Sequence, residues 1–393
     1  MNFKILKLNS IAMAGLDRLP RDRYEVGTEI SRPDAILLRS YKMHDMDIPD
    51  SVLAVGRAGA GVNNIPVDLL SQRGVPVFNA PGANANAVKE LVLGSMLMAA
   101  RNLFQACEYV KHLDRSDSDL GAAIEEGKKQ FRGFELPNRT LGVIGLGAIG
   151  VKVANAAFSL GMHVIGFDPN ITVQRAWQLS SGVENAVGIG EIFRRSDIIS
   201  VHVPYTKETR HLVSSERIKL MRRDAILLNF AREGVVDLDA VVDALDNDTL
   251  KSYVTDFPTN AIKNHPKTIC LPHLGASTTE AEENCAVMVS DNVKDFLENG
   301  NIRCSVNFPE TVLERTRPHR LAIPHANVPN MVAQILTVLG GEDLNIADLL
   351  NHSRDKLSYT IVDLDGPPSD EALQRIRAID GILSVRVLPI IET

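Results

Sequence analysis

The sequence predicts an α/β protein with two doubly wound parallel-sheet domains and a small C-terminal module. Short apolar strands alternate with helical patterns over residues 1–80, and the same alternation restarts at Thr140 with greater regularity. A separate pattern of strands and helices follows residue 317. A chain of 393 residues is long enough for two or three domains at roughly 150 residues each.

Composition excludes several classes of protein. Hydrophobic residues make up 45% of the chain and charged residues 23%, so disorder is excluded as its main state. The net charge of −7 leaves no basic surplus for nucleic acid or anionic membranes. The most apolar run, residues 91–100, is shorter than the roughly 20 residues that span a bilayer. The chain has four cysteines, Cys107, Cys270, Cys285 and Cys304. Their spacing does not match a metal site, and their small number favours a reducing, cytoplasmic location.

Apolar runs and helical periodicity define the elements in each part of the chain. In the first part we expect strands at residues 1–8, 35–39, 52–57 and 75–79 and a helix at 90–101. In the second we expect strands at 141–145, 163–168, 197–202, 225–229, 253–256 and 268–271, then a helix at 277–298. The C-terminal pattern predicts strands at 321–325, 347–353, 360–364 and 384–388 with helices at 331–339 and 371–379, a ferredoxin-like order. Residues 114–130 are polar and predict a loop or a surface helix.

A glycine motif, Gly145, Gly147 and Gly150, lies between a predicted strand and a predicted helix. In this context the three glycines allow a tight turn, close approach of a pyrophosphate and close helix–strand packing. The alternative is a plain strand–helix turn without a ligand. Asp168 ends the next strand, where a carboxylate accepts hydrogen bonds from ribose hydroxyls and repels a 2′-phosphate. The glycine motif and Asp168 together therefore predict a dinucleotide site that binds NAD rather than NADP.

Three polar residues follow the later strands of the same domain. Arg232 comes after the strand at 225–229 and can bind a carboxylate with two hydrogen bonds. His273 follows the strand at 268–271 and can exchange a proton near neutral pH. Asp256 ends the strand between them in the chain and can contact a nicotinamide or position Arg232. Each also has a structural interpretation, as a surface ion pair, a helix-entry histidine and a turn residue respectively.

Five ordered segments carry a resemblance to the D-isomer-specific 2-hydroxyacid dehydrogenases with a C-terminal ACT domain. They are residues 55–64, 79–84, 145–150, 229–237 and 271–278. The resemblance implies a flavodoxin-like substrate-binding domain at 1–98 and 280–310. It further implies a Rossmann NAD-binding domain at 99–279 and an ACT regulatory domain at 318–393.

The resemblance also implies roles for individual residues. Arg232 binds the substrate carboxylate, and His273 is the general acid and base. The residues expected around NAD are Gly145, Gly147, Ala148, Ile149, Gly150, Asp168, Ala231, Arg232, Asp256, His273, Gly275 and Ala276. The residues expected around a phosphorylated substrate are Arg39, Lys42, Arg57, Gly59, Ala60, Gly61 and Arg232.

One position departs from the family pattern. The family has a glutamate, paired with the histidine, where this chain has Asn260. An amide can orient an imidazole by a hydrogen bond but cannot stabilise the imidazolium by charge. Either Asn260 replaces the glutamate as a catalytic residue, another acid enters the site, or activity is weakened.

The activity implied is NAD-dependent oxidation of 3-phospho-D-glycerate to 3-phosphooxypyruvate, the first step towards L-serine. The resemblance further implies a homodimer or homotetramer and an L-serine effector bound by His325 and Asn327. Two alternatives stay open: another D-2-hydroxyacid dehydrogenase, acting on hydroxypyruvate or 2-oxoglutarate, and a non-catalytic NAD-responsive binding protein.

Overall fold

The computed structural model describes residues 2–114, 116–342 and 344–390. The chain divides into two compact units, of which one comprises residues 85–278 and the other the described residues before and after it. No helix in these described ranges combines the length and the apolar character needed to cross a bilayer.

The first unit begins with a five-stranded parallel sheet whose strand order is β2-β1-β3-β4-β5. This is the doubly wound order of flavodoxin-like domains. Its strands are mostly buried because helices cover both faces of a parallel sheet. The elements are β1 Phe3–Leu8, α1 Met13–Leu16, β2 Tyr24–Gly27, β3 Ala35–Leu38, β4 Ala54–Arg57, α2 Val67–Gln72 and β5 Val77–Phe78.

The second unit contains a seven-stranded parallel sheet with strand order β12-β11-β10-β9-β6-β7-β8. The order reverses between β6 and β9, as in Rossmann domains. Its helices are α3 Ala85–Ala100, α4 Leu103–Lys111, α5 Asp117–Gly127, α6 Ala148–Ser159, α7 Val173–Ala176, α8 Ile189–Arg195, α9 Ser215–Ile218 and α10 Leu238–Asp246. Its strands are β6 Thr140–Ile144, β7 His163–Phe167, β8 Val183–Asn185, β9 Ile198–Val201, β10 Ala225–Asn229, β11 Leu250–Thr255 and β12 Thr268–Cys270.

The boundary between the units falls earlier than the predicted division after residue 98. The structure separates the units after residue 84, so the whole of α3 belongs to the second unit. The reason is packing: Val88, Val92 and Met96 share a core with Leu141 and Val143 of β6. Helical periodicity identifies the helix but does not say which sheet its apolar face covers.

The long helix α11 Thr279–Asn299 returns the chain to the first unit, and the C-terminal module follows it. The module has the predicted β-α-β-β-α-β order and an antiparallel sheet with order β14-β15-β13-β16. Residues 343 and 391–393 of the predicted module lie outside the described residues. Its elements are β13 His319–Ala326, α12 Met331–Gly340, β14 Ile346–Arg354, β15 Leu357–Leu364, α13 Asp370–Arg377 and β16 Arg386–Val387.

The sequence patterns missed two strands, β2 and β8. Both lie at an edge of their sheet, and their residues are mostly only part-buried or exposed. Edge strands have a neighbour on one side only, so they lack the apolar run that marks a central strand. Part of the polar segment at 114–130 forms a surface helix, α5.

Three arginines cap the carboxyl end of α11. The last four carbonyls of a helix have no intrahelical donor. Here Arg386 donates to the carbonyls of Phe296 and Leu297 at 3.3 and 3.2 Å. Arg315 donates to the carbonyl of Glu298 and Arg320 to that of Asn299, both at 3.1 Å. All three arginines follow the helix in sequence. Their hydrogen bonds therefore attach the C-terminal part of the chain to α11, which packs on the five-stranded sheet of the first unit.

A buried ion pair strengthens the same attachment. Arg320 and Asp363 are both inaccessible to solvent, and Arg320 Nη2 lies 2.7 Å from Asp363 Oδ2. Further Arg320 hydrogen bonds go to the carbonyls of Leu313 and Glu314. Together with the hydrogen bond from Arg320 to the Asn299 carbonyl, these contacts give both charged groups hydrogen-bond partners. A buried ion pair needs such partners to offset the loss of water.

Replacing Arg320 by methionine should destabilise the protein strongly, because Asp363 would be left buried without a counter-charge. We expect the free energy of unfolding to fall by about 3–5 kcal/mol, measured by urea denaturation. Arg317→Met is the matched control, because it removes an exposed pair with Asp365 in the same module and should cost at most about 1 kcal/mol. Equal losses in the two variants would contradict this ranking.

Candidate active site

The predicted cofactor and catalytic residues of the second unit follow the carboxyl ends of its parallel strands. The glycine turn follows β6, Asp168 follows β7, Arg232 follows β10, Asp256 follows β11 and His273 follows β12. All strands of this sheet run in the same direction, so their carboxyl ends all lie on one side of the sheet, called here the carboxyl edge. Ligands of doubly wound sheets bind at this edge, where the strand order reverses.

The three glycines have distinct structural roles. Gly145 has a φ of +93°, and a Cβ there would lie 2.7 Å from the carbonyl oxygen of His202. A Cβ at Gly150 would overlap the carbonyl oxygen of Gly145, so α6 can pack this closely only with glycine. A Cβ at Gly147 would meet no atom within 4 Å. Packing therefore explains Gly145 and Gly150 but not Gly147, whose open position at the start of α6 fits a pyrophosphate.

The Asp168 carboxylate is fixed against the glycine turn. Its Oδ2 accepts a hydrogen bond from the Leu146 amide at 2.8 Å, and its Oδ1 accepts one from the Asn170 amide at 2.9 Å. Ala148 and Ile149, both part-buried, begin the helix beside it. Each carboxylate oxygen can accept a further hydrogen bond, which suits the ribose hydroxyls of a dinucleotide.

His202 is a site residue that sequence reasoning missed. It follows β9 at the point where the strand order reverses, and its amide donates to the Ile144 carbonyl at 2.7 Å. Its Nε2 lies 2.8 Å from Ser200 Oγ, whereas its Nδ1 is buried without a partner among the described residues. Burial lowers the pKa of His202 to about 4, so the ring is neutral near pH 7. A polar residue directly after a buried strand was the available signal.

Arg232 is presented by a loop that the Asn229 side chain shapes. Asn229 is fully buried; its Nδ2 donates to the Arg232 carbonyl at 3.0 Å and its Oδ1 accepts from the Ala231 amide at 3.1 Å. Thr255 Oγ1 donates to the Asn229 carbonyl at 3.0 Å and accepts from the Phe257 amide at 3.1 Å. The exposed Arg232 side chain therefore extends from a rigid turn, and Thr255 links that turn to the neighbouring strand end.

Asp256 is a buried carboxylate with an unused oxygen. The residue is 3% exposed, and its Oδ1 has no hydrogen-bond partner in the described structure. Burial raises the pKa of Asp256, and the charges of His273 and Arg232 partly offset that rise. Asp256 is thus within electrostatic reach of both predicted catalytic residues.

The exposed His273 ring packs edge-on against Phe257, with ring centroids 4.9 Å apart and planes at 68°. Gly275 is buried beside Asp256: a Cβ there would lie 3.7 Å from Asp256 Oδ2 and 3.2 Å from Val88 Cγ2. The part-buried Ala276 continues this turn. Asn260 is exposed and makes no hydrogen bond with His273 within the described residues. Asp256 therefore interacts electrostatically with the histidine, whereas Asn260 does not hydrogen-bond to it in the described structure.

In the first unit, Arg39 and Arg57 lie at the carboxyl ends of adjacent strands, β3 and β4. Arg57 Nε donates to the Arg39 carbonyl at 3.0 Å, and Arg39 Nη1 forms an ion pair with Glu282 of α11 at 2.6 Å. Lys42, the third predicted cation, is exposed. Two of the three predicted phosphate-binding cations are therefore brought together.

The predicted substrate loop of Gly59, Ala60 and Gly61 follows β4. The Arg57 guanidinium lies so close to Gly59 that a Cβ there would overlap it. The Ala80 amide donates to the Gly59 carbonyl at 3.0 Å, and Asn79 Nδ2 donates to the Ala60 carbonyl at 2.6 Å. Backbone and side-chain contacts thus fix this loop beside Arg57.

The two predicted effector residues differ in exposure. His325 is 2% exposed; its Nε2 lies 2.8 Å from Thr360 Oγ1 and its Nδ1 2.8 Å from the Ala326 carbonyl. Asn327 is exposed, and its Nδ2 donates to the Asp355 carbonyl at 3.0 Å. A ligand at His325 would have to replace one of these hydrogen bonds.

Comparisons with known proteins match this architecture. The family model "D-isomer specific 2-hydroxyacid dehydrogenase, NAD binding domain" matches residues 93–275. A D-3-phosphoglycerate dehydrogenase of Methanocaldococcus jannaschii is 36% identical over 79% of this chain, which spans 59% of that relative's length. The Haemophilus influenzae enzyme of the same name is 33% identical over 86% of this chain and 81% of its own length. The crystal structure of NAD+-bound 3-phosphoglycerate dehydrogenase from Entamoeba histolytica has a TM-score of 0.61 and 25% identity, covering 78% of this chain and 99% of that one.

Replacing Gly147 by serine should separate folding from cofactor binding. Serine is a favoured residue at a helix start, and the added Cβ meets no protein atom. We therefore expect the free energy of unfolding to stay the same or rise by about a few tenths of a kcal/mol. The affinity for NAD should fall about tenfold or more, because the side chain occupies the path of the pyrophosphate. Denaturation and NAD titration calorimetry measure the two effects, and unchanged NAD affinity would contradict the assignment.

Proposed function

Because this chain belongs to the D-isomer-specific 2-hydroxyacid dehydrogenase family and is an NAD-dependent dehydrogenase, we propose that it oxidises 3-phospho-D-glycerate to 3-phosphooxypyruvate. One observation carries the proposal. Arg232, Asp256 and His273 follow three neighbouring strands at the same edge as the glycine turn. A carboxylate-binding cation, a buried acid and a proton acceptor are thus combined beside the dinucleotide site.

In the proposed reaction, Arg232 binds the substrate and His273 transfers the proton. The Arg232 guanidinium binds the substrate carboxylate and so orients C2. Neutral His273 takes the proton of the 2-hydroxyl group as the C2–H bond breaks, and it returns a proton in the reverse direction. When bound, NAD accepts the hydride that leaves C2. The products are the 2-oxo acid, reduced cofactor and one proton held by His273.

Two observations support a phosphorylated substrate. Arg39 and Arg57 lie side by side at the carboxyl edge of the first sheet and could bind a phosphate. Both relatives described above are named D-3-phosphoglycerate dehydrogenase. Glu282 pairs with Arg39 and would have to share it with the substrate.

Asp256 supplies the negative charge that Asn260 cannot. His273 becomes positively charged when it takes the substrate proton, and a nearby carboxylate stabilises that form. Asp256 is buried, has a free oxygen and interacts electrostatically with His273. In this proposal Asp256 is a positioning and charge-stabilising residue, and Asn260 contributes through its polarity alone.

The proposal extends to regulation and assembly. The ferredoxin-like module functions as an ACT domain, binding L-serine near Asn327 and His325 as the protein self-associates through it. The four cysteines are all unpaired, which supports a reducing, cytoplasmic compartment.

The purified protein should reduce NAD when supplied with 3-phospho-D-glycerate at alkaline pH with a trap for the oxo acid. Its kcat/KM should exceed that for D-glycerate by about a hundredfold, because D-glycerate lacks the charge-assisted hydrogen bonds of the phosphate. Arg57→Gln should reduce this ratio by lowering kcat/KM for the phosphorylated substrate alone. The absorbance of NADH measures all four rates, two substrates with each of the two proteins.

The alternatives predict different outcomes. Equal rates with both substrates, or a faster rate with another 2-hydroxy acid, would replace the phosphorylated substrate. Tight NAD binding without turnover of any 2-hydroxy acid would favour a binding protein.

Replacing Asp256 by asparagine should lower kcat/KM for oxidation about tenfold, because His273 would take up the substrate proton without a nearby counter-charge. Adding Asn260→Glu to this variant should restore part of the rate, whereas Asn260→Gln should not. The absorbance of NADH measures these rates, and an unchanged kcat/KM in Asp256→Asn would exclude this role.

A further inference from the structure

A strongly basic cavity lies where the strands of the second sheet begin, called here the amino-terminal edge. It has a volume of about 480 Å³ and lies beside the amino-terminal ends of β6, β9, β10 and β11. The cofactor and catalytic residues occupy the carboxyl edge, so the two regions are at opposite ends of the same parallel strands. Its basic lining residues are Arg132, Arg139, Arg222, Arg223 and Lys251.

The positive charge of this basic cavity is only partly compensated. Two carboxylates, Asp197 and Asp224, line it. Asp197 is already occupied: its Oδ1 lies 3.0 Å from Arg222 and 3.9 Å from Arg139, and its Oδ2 accepts from the Thr140 amide. In the described structure, Arg132 and Arg223 have no carboxylate within 4 Å. A local positive excess thus exists in a chain whose net charge is −7.

Phe134 arranges two of the cations before any ligand arrives. The Arg139 guanidinium carbon and Lys251 Nζ each lie 4.7 Å from the centre of its ring. These cation–π contacts hold both side chains at the cavity wall. Burial lowers the pKa of Lys251, and the charge of Arg139 lowers it further while Asp224 opposes this. A bound anion would stabilise both charges.

A second cavity of about 300 Å³ adjoins the first, with Asp224 and Lys251 in both linings. Its wall includes Gln105 and Ser252, and both carry a buried oxygen, Oε1 and Oγ, without a hydrogen-bond partner in the described structure. Buried polar atoms are normally paired, so unpaired ones at a cavity wall indicate a missing partner. The adjoining cavity therefore offers hydrogen bonds, and its charged lining residues are balanced, with Asp224 and Asp248 against Lys251 and Lys267.

From these features we propose that the amino-terminal edge of the NAD-binding unit binds a phosphate-bearing small molecule. Its phosphates occupy the basic cavity, where the guanidinium groups of Arg132, Arg222 and Arg223 offer paired donors. The polar body of the ligand extends past Lys251 to Gln105 and Ser252. The two volumes are in the range of metabolite sites, and a focused positive field attracts anions even to an acidic protein.

Titration calorimetry with inorganic pyrophosphate and with ATP tests this site. The protein is kept saturated with NAD, so that the dinucleotide turn is occupied, and ionic strength is held constant with chloride. We expect saturable binding of at least one ligand. If ATP binds more tightly than pyrophosphate and its affinity falls in Ser252→Ala, the natural ligand is a nucleotide. If ATP and pyrophosphate bind equally well, the site recognises the phosphates alone. Both results support the site.

Variants locate the binding. Arg132→Gln with Arg223→Gln removes two cations that make no ion pair, so the fold should be unaffected, and affinity should fall about tenfold or more. Arg194→Gln with Lys219→Gln removes two charges elsewhere in the same unit and should leave affinity unchanged. No saturable binding of either ligand, equal affinity in the two double variants, or binding abolished by NAD would overturn the proposal.

Discussion

Strand direction is the constraint on which the candidate site depends. All seven strands of the second sheet are parallel, so every residue that directly follows a strand lies at one edge. Residues as distant in sequence as Gly145 and His273 therefore belong to one chemical region. The same constraint separates the basic cavity, whose lining residues precede the strands or, for Lys251, lie near a strand's start, from the proposed catalytic residues that follow the strands.

Close packing at the strand ends fixes the positions of the loops that carry the site residues. Gly150 lets α6 approach the turn at Gly145, and the buried Asn229 side chain shapes the loop that presents Arg232. Thr255 joins that loop to the strand that ends at Asp256. The side chains of Arg232 and His273 are also held by contacts, since Arg232 Nη1 donates to the Ala231 carbonyl at 2.6 Å and His273 packs against Phe257.

Buried charge has two different roles in the molecule. In the first unit, Arg320 and Asp363 are buried as a fully bonded pair, and with Arg315 and Arg386 they attach the C-terminal module to the end of α11. In the second unit, Asp256 is buried with a free oxygen and an elevated pKa. A completed pair stabilises the fold, whereas an incomplete one is available for interaction with a substrate or a catalytic group.

The sequence by itself determined the fold class, the positions of the central strands along the chain and the dinucleotide turn, because apolar runs and glycine spacing are local properties. It also predicted Arg232, Asp256 and His273 as a group, since each directly follows a strand. It could not determine that α3 packs on the second sheet, that β2 and β8 form at sheet edges, or that His202 lies beside the glycine turn. Only the tertiary structure decided that the buried Asp256 carboxylate keeps a free oxygen and interacts electrostatically with His273, and that five cations share one cavity. These are relations between segments distant in the chain, and packing, not local pattern, determines them.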